Sequence, residues 1–289
     1  MANATHLRWR LAVPDSQEEG LCAWLEARGS SAFYREADPP RACYAYFPPD
    51  QAPPDPAGLD VFPGVDLLEA EVFADEDWLA KSREGFGAFE VGTRFHVRPL
   101  WDGTPGPADR LDLVVNPGLA FGTGGHETTR LCMALLEELA AAGRLGGPVL
   151  DIGAGTGILS LAAHLLGGRK LTAFDIDPDC GPAMDELIEL NAHLLKGAKP
   201  YESFVGTLDH PRVQGPYAGL LANILLETIQ ELLPRMAEVA APGAWLVASG
   251  ILAERTDEAL VSLVAQGFKP VKVLKEGEWI AVLAERVAS

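Results

Sequence analysis

Residues Asp151 to Gly157 read DIGAGTG, with apolar Val149 and Leu150 before them and Ile158, Leu159, Leu161, Ala162 and Ala163 after them. An apolar run that enters three alternate glycines and leaves as a second apolar run predicts a buried strand, a turn of bare backbone and a helix. α/β proteins use that arrangement to bring a nucleoside-bearing ligand against main chain. The glycine spacing narrows the ligand. A dinucleotide site wants G-x-G-x-x-G, and counting from Gly153 the third glycine would fall on Ile158. Gly153, Gly155 and Gly157 form G-x-G-x-G instead, a turn suited to S-adenosylmethionine, which has no pyrophosphate to seat at a helix N-terminus. Lys170 to Asp175 (KLTAFD) then predicts a short strand ending in a carboxylate that would hold both ribose hydroxyls.

Around this turn the pattern predicts a parallel sheet with helices on both faces. Short strands are expected at 94–98 and 111–115, and a helix over 128–142 with Leu131, Leu135, Leu136 and Leu139 on its buried side. Strands at 149–153, 171–175, 218–222 and 244–249 then alternate with helices, the second of these running from Pro178 to about Leu195. Lys269–Leu274 and Trp279–Glu285 are joined by the short turn Lys275 to Glu278, so the last two strands form a hairpin and one of them runs antiparallel. The fold expected over 93–289 is therefore α/β, and a nucleotide-binding sheet closed by a C-terminal hairpin resembles the seven-stranded, Rossmann-like methyltransferase domains.

The first 65 residues read differently. Leu7, Trp9, Leu11 and Val13 alternate with Arg8 and Arg10 as a half-buried strand, and Ser16 with Glu19 forms a capping box for a helix carrying Leu21, Trp24 and Leu25. Strand-like pieces at 31–36 and 42–47 flank a turn at Asp38-Pro39-Pro40, and Pro48 to Pro56 excludes helix or central strand. We expect a small α+β, ferredoxin-like domain over 1–65 and a connector over 66–92, with a strand at 66–73 and a helix at 75–84.

Composition bounds the partners. Lys and Arg total 23 against 41 Asp and Glu, a net charge of −18, with no basic cluster. This argues against direct nucleic-acid binding and suits either solubility or attraction of a cationic partner. With no long apolar run and no signal-peptide core, a soluble, cytoplasmic protein without membrane contact is expected. Cys22, Cys43, Cys132 and Cys180 form no CxxC pair and have no histidine at zinc-ligand spacing, so they are expected to be reduced thiols, mostly core, and no metal is expected.

Asn116 to Thr129 (NPGLAFGTGGHETT) is the second rich segment, and a glycine loop running directly into a helix is more often a ligand cover than a spacer. Together, NPGLAFGTGGHETT, DIGAGTGILS, FDIDP at 174–178 and ANILLE at 222–227 resemble the PrmA family, methyltransferases of large-subunit ribosomal protein L11, in order and spacing. The resemblance covers about residue 77 to the C-terminus. Departures are Asn116 for the family's usual Asp, and Gly125 and Glu127 for Thr and Pro. It implies cofactor contacts from Thr129, Gly153, Asp175 and Asn223, with Phe121, Gly122, Thr123 and Gly155 close by, and an N-terminal substrate-recognition domain. It also implies lysine ε-amino groups, and the N-terminal α-amino group, of a basic ribosomal protein as the acceptors.

The residues themselves agree with those contacts. Thr129 at a helix start suits a carboxylate, and the Asn223 amide just past a strand end offers an acceptor to an amine, although it would also serve as a helix cap. His126 is open to two roles, general base or structural histidine. Leu119, Ala120 and Phe121 on one side and Ile224 and Leu225 on the other are the expected walls of an apolar, acid-poor amine pocket. Alternatives are a methyltransferase of another protein or of a small molecule, and a non-enzymatic cofactor-binding adaptor.

Overall fold

In the computed structural model, β1 (Thr5–Ala12) lies between two antiparallel neighbours, β3 (Cys43–Phe47) and β4 (Asp66–Ala74), and β2 (Ala32–Arg35) pairs with the far side of β3. All residues are described except 1–4, 15–16, 27, 31, 36–41, 49–52, 75–86, 118–124 and 288–289. The alternation read along β1 places Trp9 and Leu11 on the face that packs with Cys43, Ala45 and Phe47, and with Leu21 and Leu25 of α1 (Glu18–Glu26). Trp9 meets Phe47 edge to face at 5.1 Å.

This pairing corrects the expected boundary. Residues 66–74, read as part of a connector, supply the fourth strand of the first sheet, in register from Thr5 opposite Ala74 to Ala12 opposite Asp66. The chain divides into units at Gly85 and Phe86, not after residue 65. A strand edge needs its backbone groups paired, and β4 satisfies those of β1. The Ser16 capping box, the Asp38-Pro39-Pro40 turn and the helix expected at 75–84 lie outside the described residues.

The second unit begins with a three-stranded sheet, β5 (Phe89–Val91), β6 (Phe95–Pro99) and β7 (Leu111–Val115), in that order. The larger sheet is built from β8 (Pro148–Ile152), β9 (Lys170–Asp175), β10 (Glu202–Val205), β11 (Tyr217–Asn223), β12 (Ala240–Leu252), β13 (Phe268–Glu276) and β14 (Trp279–Arg286). Its order is β10-β9-β8-β11-β12-β14-β13, with the first five parallel and β14 antiparallel to both neighbours, so the expected C-terminal hairpin is present. β10 was not anticipated: ESFV is a short edge strand with only Phe204 buried, too little for a periodic signal.

Alternate residues of the central strands feed two cores. Val149, Leu221 and Val247 join Leu131, Leu135, Leu136 and Leu139 of α2 (Glu127–Ala141) and the apolar face of α3 (Ile158–Leu165). Leu150, Ile152, Leu220, Leu246 and Ala248 pack with Ile229, Leu233 and Met236 of α6 (Leu226–Val239) and Leu263 of α7 (Thr256–Ala265). Each such fully buried leucine contributes about 1.5 to 3 kcal/mol of transfer free energy, which is why the period-2 and period-3.6 patterns dominate the local choices.

The helix expected from Pro178 to Leu195 is two, α4 (Cys180–Leu190) and α5 (Ala192–Leu195), broken at Asn191. Asn191 is fully buried, and its side chain accepts from the Val114 amide at 2.8 Å and donates to the Val114 carbonyl at 2.7 Å and the Leu187 carbonyl at 2.9 Å. No described helix is long and apolar enough to cross a membrane.

Candidate functional site

Strand order reverses between β8 and β11, and at the C-terminal ends of those two strands an open α/β sheet leaves a crevice. A cavity of about 570 Å³ occupies it, within the range of roughly 300 to 1,000 Å³ usual for small-molecule sites. Its lining comes from Gly153 and Gly155 after β8, Asp175 to Asp177 at the end of β9, Cys180 on α4, Asn223 to Leu225 at the end of β11, His126 and Thr128 at the start of α2, and Trp279.

The glycine turn is shaped by what it touches. Gly153 has φ +67°, and a Cβ there would lie 2.5 Å from Ile224 Cγ2. Gly250 has φ +84°, and a Cβ there would strike the Ile224 carbonyl. Ile224 is thus held between a glycine of the turn after β8 and a glycine of β12, its own amide donating to the Ser249 carbonyl at 3.2 Å. Only glycine fits both places, because each combines a left-handed conformation with a close approach.

Asp175 organises the other end. Its Oδ2 accepts from the Gly155 amide at 2.9 Å and its Oδ1 from the Asp177 amide at 3.0 Å, which leaves each oxygen a further lone pair for a diol. Beside it the buried Cys180 thiol is pushed up to about 12, first by burial and then by Asp175 and Asp177, so it stays neutral and is no nucleophile. The thiol expected in the core thus also borders the cavity. Beneath the turn, Asp151 is buried with its Oδ2 accepting from the Ser160 hydroxyl at 2.7 Å, and burial raises its carboxyl to about 7.

Asn223 Nδ2 donates to Thr129 Oγ1 at 3.4 Å. Its Oδ1 is buried and has no hydrogen-bond partner among the described residues, in a wall of the cavity. Such an orphan acceptor costs about 1 to 3 kcal/mol unless something fills it. Asn223 is not a helix cap, since the cap position of α6 is Leu225. Thr129, expected at the ligand, is buried under Asn223 and is not among the cavity-lining residues; His126 and Thr128 face the cavity instead.

His126 is the N-cap of α2. Its Nδ1 accepts from the Thr128 amide at 3.3 Å and lies 2.8 Å from Thr128 Oγ1, and a nitrogen that accepts at a cap places the proton of the neutral ring on Nε2. Of the two roles left open for His126, this geometry favours the structural one. Phe121, Gly122 and Thr123, with Leu119 and Ala120, lie outside the described residues. Of the opposite wall, Ile224 is partly buried and packed into the core, whereas Leu225 is 64% exposed at the mouth.

Trp279 was missed. The first residue of β14, it packs edge to face on His126 with ring centroids 5.0 Å apart. The usable signal was direction: an antiparallel strand in an otherwise parallel sheet begins at the edge where the others end, so the first side chain after the hairpin turn belongs at the ligand side. Arg130 holds this corner together, donating to Glu276 Oε1 from Nε at 3.0 Å and Nη2 at 2.6 Å and to the Gly125 carbonyl from Nη1.

Comparison with known proteins agrees with this geometry. A family model described as ribosomal protein L11 methyltransferase (PrmA) matches residues 61–287. A ribosomal protein L11 methyltransferase of Pelobacter propionicus is 38% identical over 218 residues, which is 74% of this chain and 68% of that one. One from Synechococcus elongatus is 35% identical over 222 residues, 75% of this chain and 72% of its own length. The crystal structure of a ribosomal protein L11 methylase from Lactobacillus delbrueckii subsp. bulgaricus, 28% identical, superposes with a TM-score of 0.61 and covers 70% of this chain and all of the other. The α/β methyltransferase fold, the crevice at the strand switch and the match over 61–287 lead to one conclusion: this chain belongs to the ribosomal protein L11 methyltransferase (PrmA) family.

Proposed function

We propose that the protein is a cytoplasmic S-adenosylmethionine-dependent N-methyltransferase acting on lysine ε-amino groups, and on the N-terminal α-amino group, of ribosomal protein L11. The observation that carries this is Asn223, which lines the same cavity as the glycine turn and Asp175 and whose buried Oδ1 has no hydrogen-bond partner among the described residues. The residues fit the cofactor. Asp175 would take the ribose hydroxyls, the bare backbone at Gly153 and Gly155 would border the adenosyl group, and His126 and Thr128 stand at the N-terminus of α2. When bound, S-adenosylmethionine supplies an electrophilic sulfonium methyl and leaves as S-adenosylhomocysteine.

The protein's task is then orientation. Asn223 Oδ1 accepts one N–H of the incoming amine and so aims its lone pair, which forms the new N–C bond as the C–S bond breaks. A lysine of pKa near 10.4 reaches its neutral form at pH 7 at a cost of about 4.6 kcal/mol. Carboxylates beside the amine would raise that cost, and those lining the cavity among the described residues, Asp175 and Asp177, lie at the end of β9, across the crevice from Asn223. The first unit, whose strand order and single long described helix support a ferredoxin-like α+β reading, would select the target. A net charge of −18 assists encounter with a basic ribosomal protein.

The deciding experiment incubates purified L11, other ribosomal proteins and the enzyme with methyl-labelled cofactor, then maps label by mass spectrometry. Label on lysine or N-terminal amines of L11 is expected. Label only on another protein, or none, would overturn the reading.

A further inference from the structure

The acceptor-amine reading leaves the cation itself unaccounted for. Lysine arrives as an ammonium and leaves as a methylated ammonium, yet among the described residues the Asn223 end of the cavity is lined by Asn223, Thr128, Thr228, His126 and apolar or aromatic surface, with no carboxylate. Glu127 and Glu276, two carboxylates near this corner, are both paired with Arg130, at 3.6 and 2.6 Å. Trp279 is a group there able to attract a positive charge: an indole in the cavity lining, at the first position of β14, fixed by its pairing opposite Glu276 and Leu252 and by its contact with His126.

Resting on the proposed amine chemistry, we propose that Trp279 is the residue that binds the acceptor amine, holding the ammonium against its ring while Asn223 Oδ1 takes one N–H; the ammonium gives up one proton to water before its lone pair attacks the methyl. An aromatic face draws charge without supplying a basic lone pair. It differs from a carboxylate in a second respect. The attraction is to charge and not to N–H groups, so it persists as methyls replace hydrogens and the amide bond to Asn223 is used up. It also acts on the positive charge that grows on nitrogen during transfer, when the N–C bond is forming.

The test compares two ligands on the full-length protein saturated with S-adenosylhomocysteine: Nα-acetyl-Nε-trimethyllysine amide, and its uncharged isostere with carbon in place of the ammonium nitrogen. Wild type is expected to bind the charged ligand about tenfold more tightly. Trp279→Phe should keep most of that preference and Trp279→Leu should lose it. Cofactor affinity by calorimetry should stay within about twofold in both variants, and kcat/KM for L11 in Trp279→Leu should fall about tenfold.

Equal binding of the two ligands by wild type, no binding of either, or a charge preference that survives in Trp279→Leu would overturn the proposal. So would a loss of cofactor affinity that tracks the loss of activity, because it would make Trp279 a packing residue. If wild type does not methylate L11, the functional reading fails separately, and the ligand comparison still reports on Trp279.

Discussion

The side-chain amide of Asn223 reaches back to the hydroxyl of Thr129 at 3.4 Å, and its buried oxygen meets no hydrogen-bond partner among the described residues. Thr129 tethers the amide. Asn223→Ala is expected to lower kcat by about ten- to a hundredfold, with cofactor affinity changed by no more than about threefold and no recovery as pH rises. Thr129→Val should give a smaller loss of the same kind. A variant whose rate recovers at pH 9 would show that Asn223 balances a proton and does not aim a lone pair.

Asp175 supports two backbone amides and, in the proposed complex, two hydroxyls. Asp175→Ala should weaken S-adenosylmethionine binding about ten- to a hundredfold by calorimetry, from charged hydrogen bonds worth roughly 1.5 to 3 kcal/mol. NAD should not bind to either form. Unchanged affinity would place the ribose elsewhere.

Leu225 and Ile224 were expected to behave alike, and the structure separates them. Leu225→Glu, at the exposed mouth, should leave cofactor affinity within about threefold yet cut the rate at pH 7, with recovery toward pH 9, because a nearby carboxylate holds the amine's proton on. Ile224→Glu should lose cofactor affinity too, since Ile224 is packed between Gly153 and Gly250. Superimposable pH profiles for Leu225→Glu and wild type would move the amine out of this pocket.

Asp151 gives stability a pH dependence of its own. Its folded-state value, raised to about 7 chiefly by burial, lies above the roughly 3.9 of an unfolded chain. The folded protein is the better proton holder, so the contribution is complete below about pH 4 and is lost as pH rises through 7. Asp151→Asn keeps an acceptor for Ser160 and carries no charge. Its unfolding midpoint should exceed that of wild type at pH 8 and not at pH 4, the difference amounting to a few kcal/mol at about 1.36 kcal/mol per unit. Parallel curves for the two proteins would mean the carboxylate is solvated in a way the burial does not suggest.

Separating the units requires a cut at Phe86, because one at residue 65 would strip β1 of its neighbour β4. A chain beginning at Phe86 should bind S-adenosylmethionine within about threefold of the full protein and methylate L11 with kcat/KM reduced at least about tenfold. Full activity would remove target selection from the first unit.

What was legible follows from how far each feature reaches along the chain. Gly153, Gly155 and Asp175 announce themselves because a turn and a strand end are local, and the G-x-G-x-G spacing already separates the candidate ligands. Asn223 was legible from its place after an apolar strand. Trp279 and Gly250 were not, because their roles come from a strand running the other way and from a neighbour that touches one glycine across the sheet. The break at Asn191 was hidden for a similar reason: its partner Val114 lies 77 residues away. β4 read correctly as a strand but not as a member of the first sheet, since pairing with β1 has no local signature.

Asn191 has one further effect. β7 is the outer strand of its small sheet, and Val114 in its middle would otherwise offer an amide and a carbonyl to any extended segment that came alongside. A primary amide carries the same donor and acceptor as a peptide unit, and here it occupies the place of the missing neighbour. At Val114 the strand therefore meets a counterfeit partner instead of a free edge, which removes one donor and one acceptor from what a second chain could pair with.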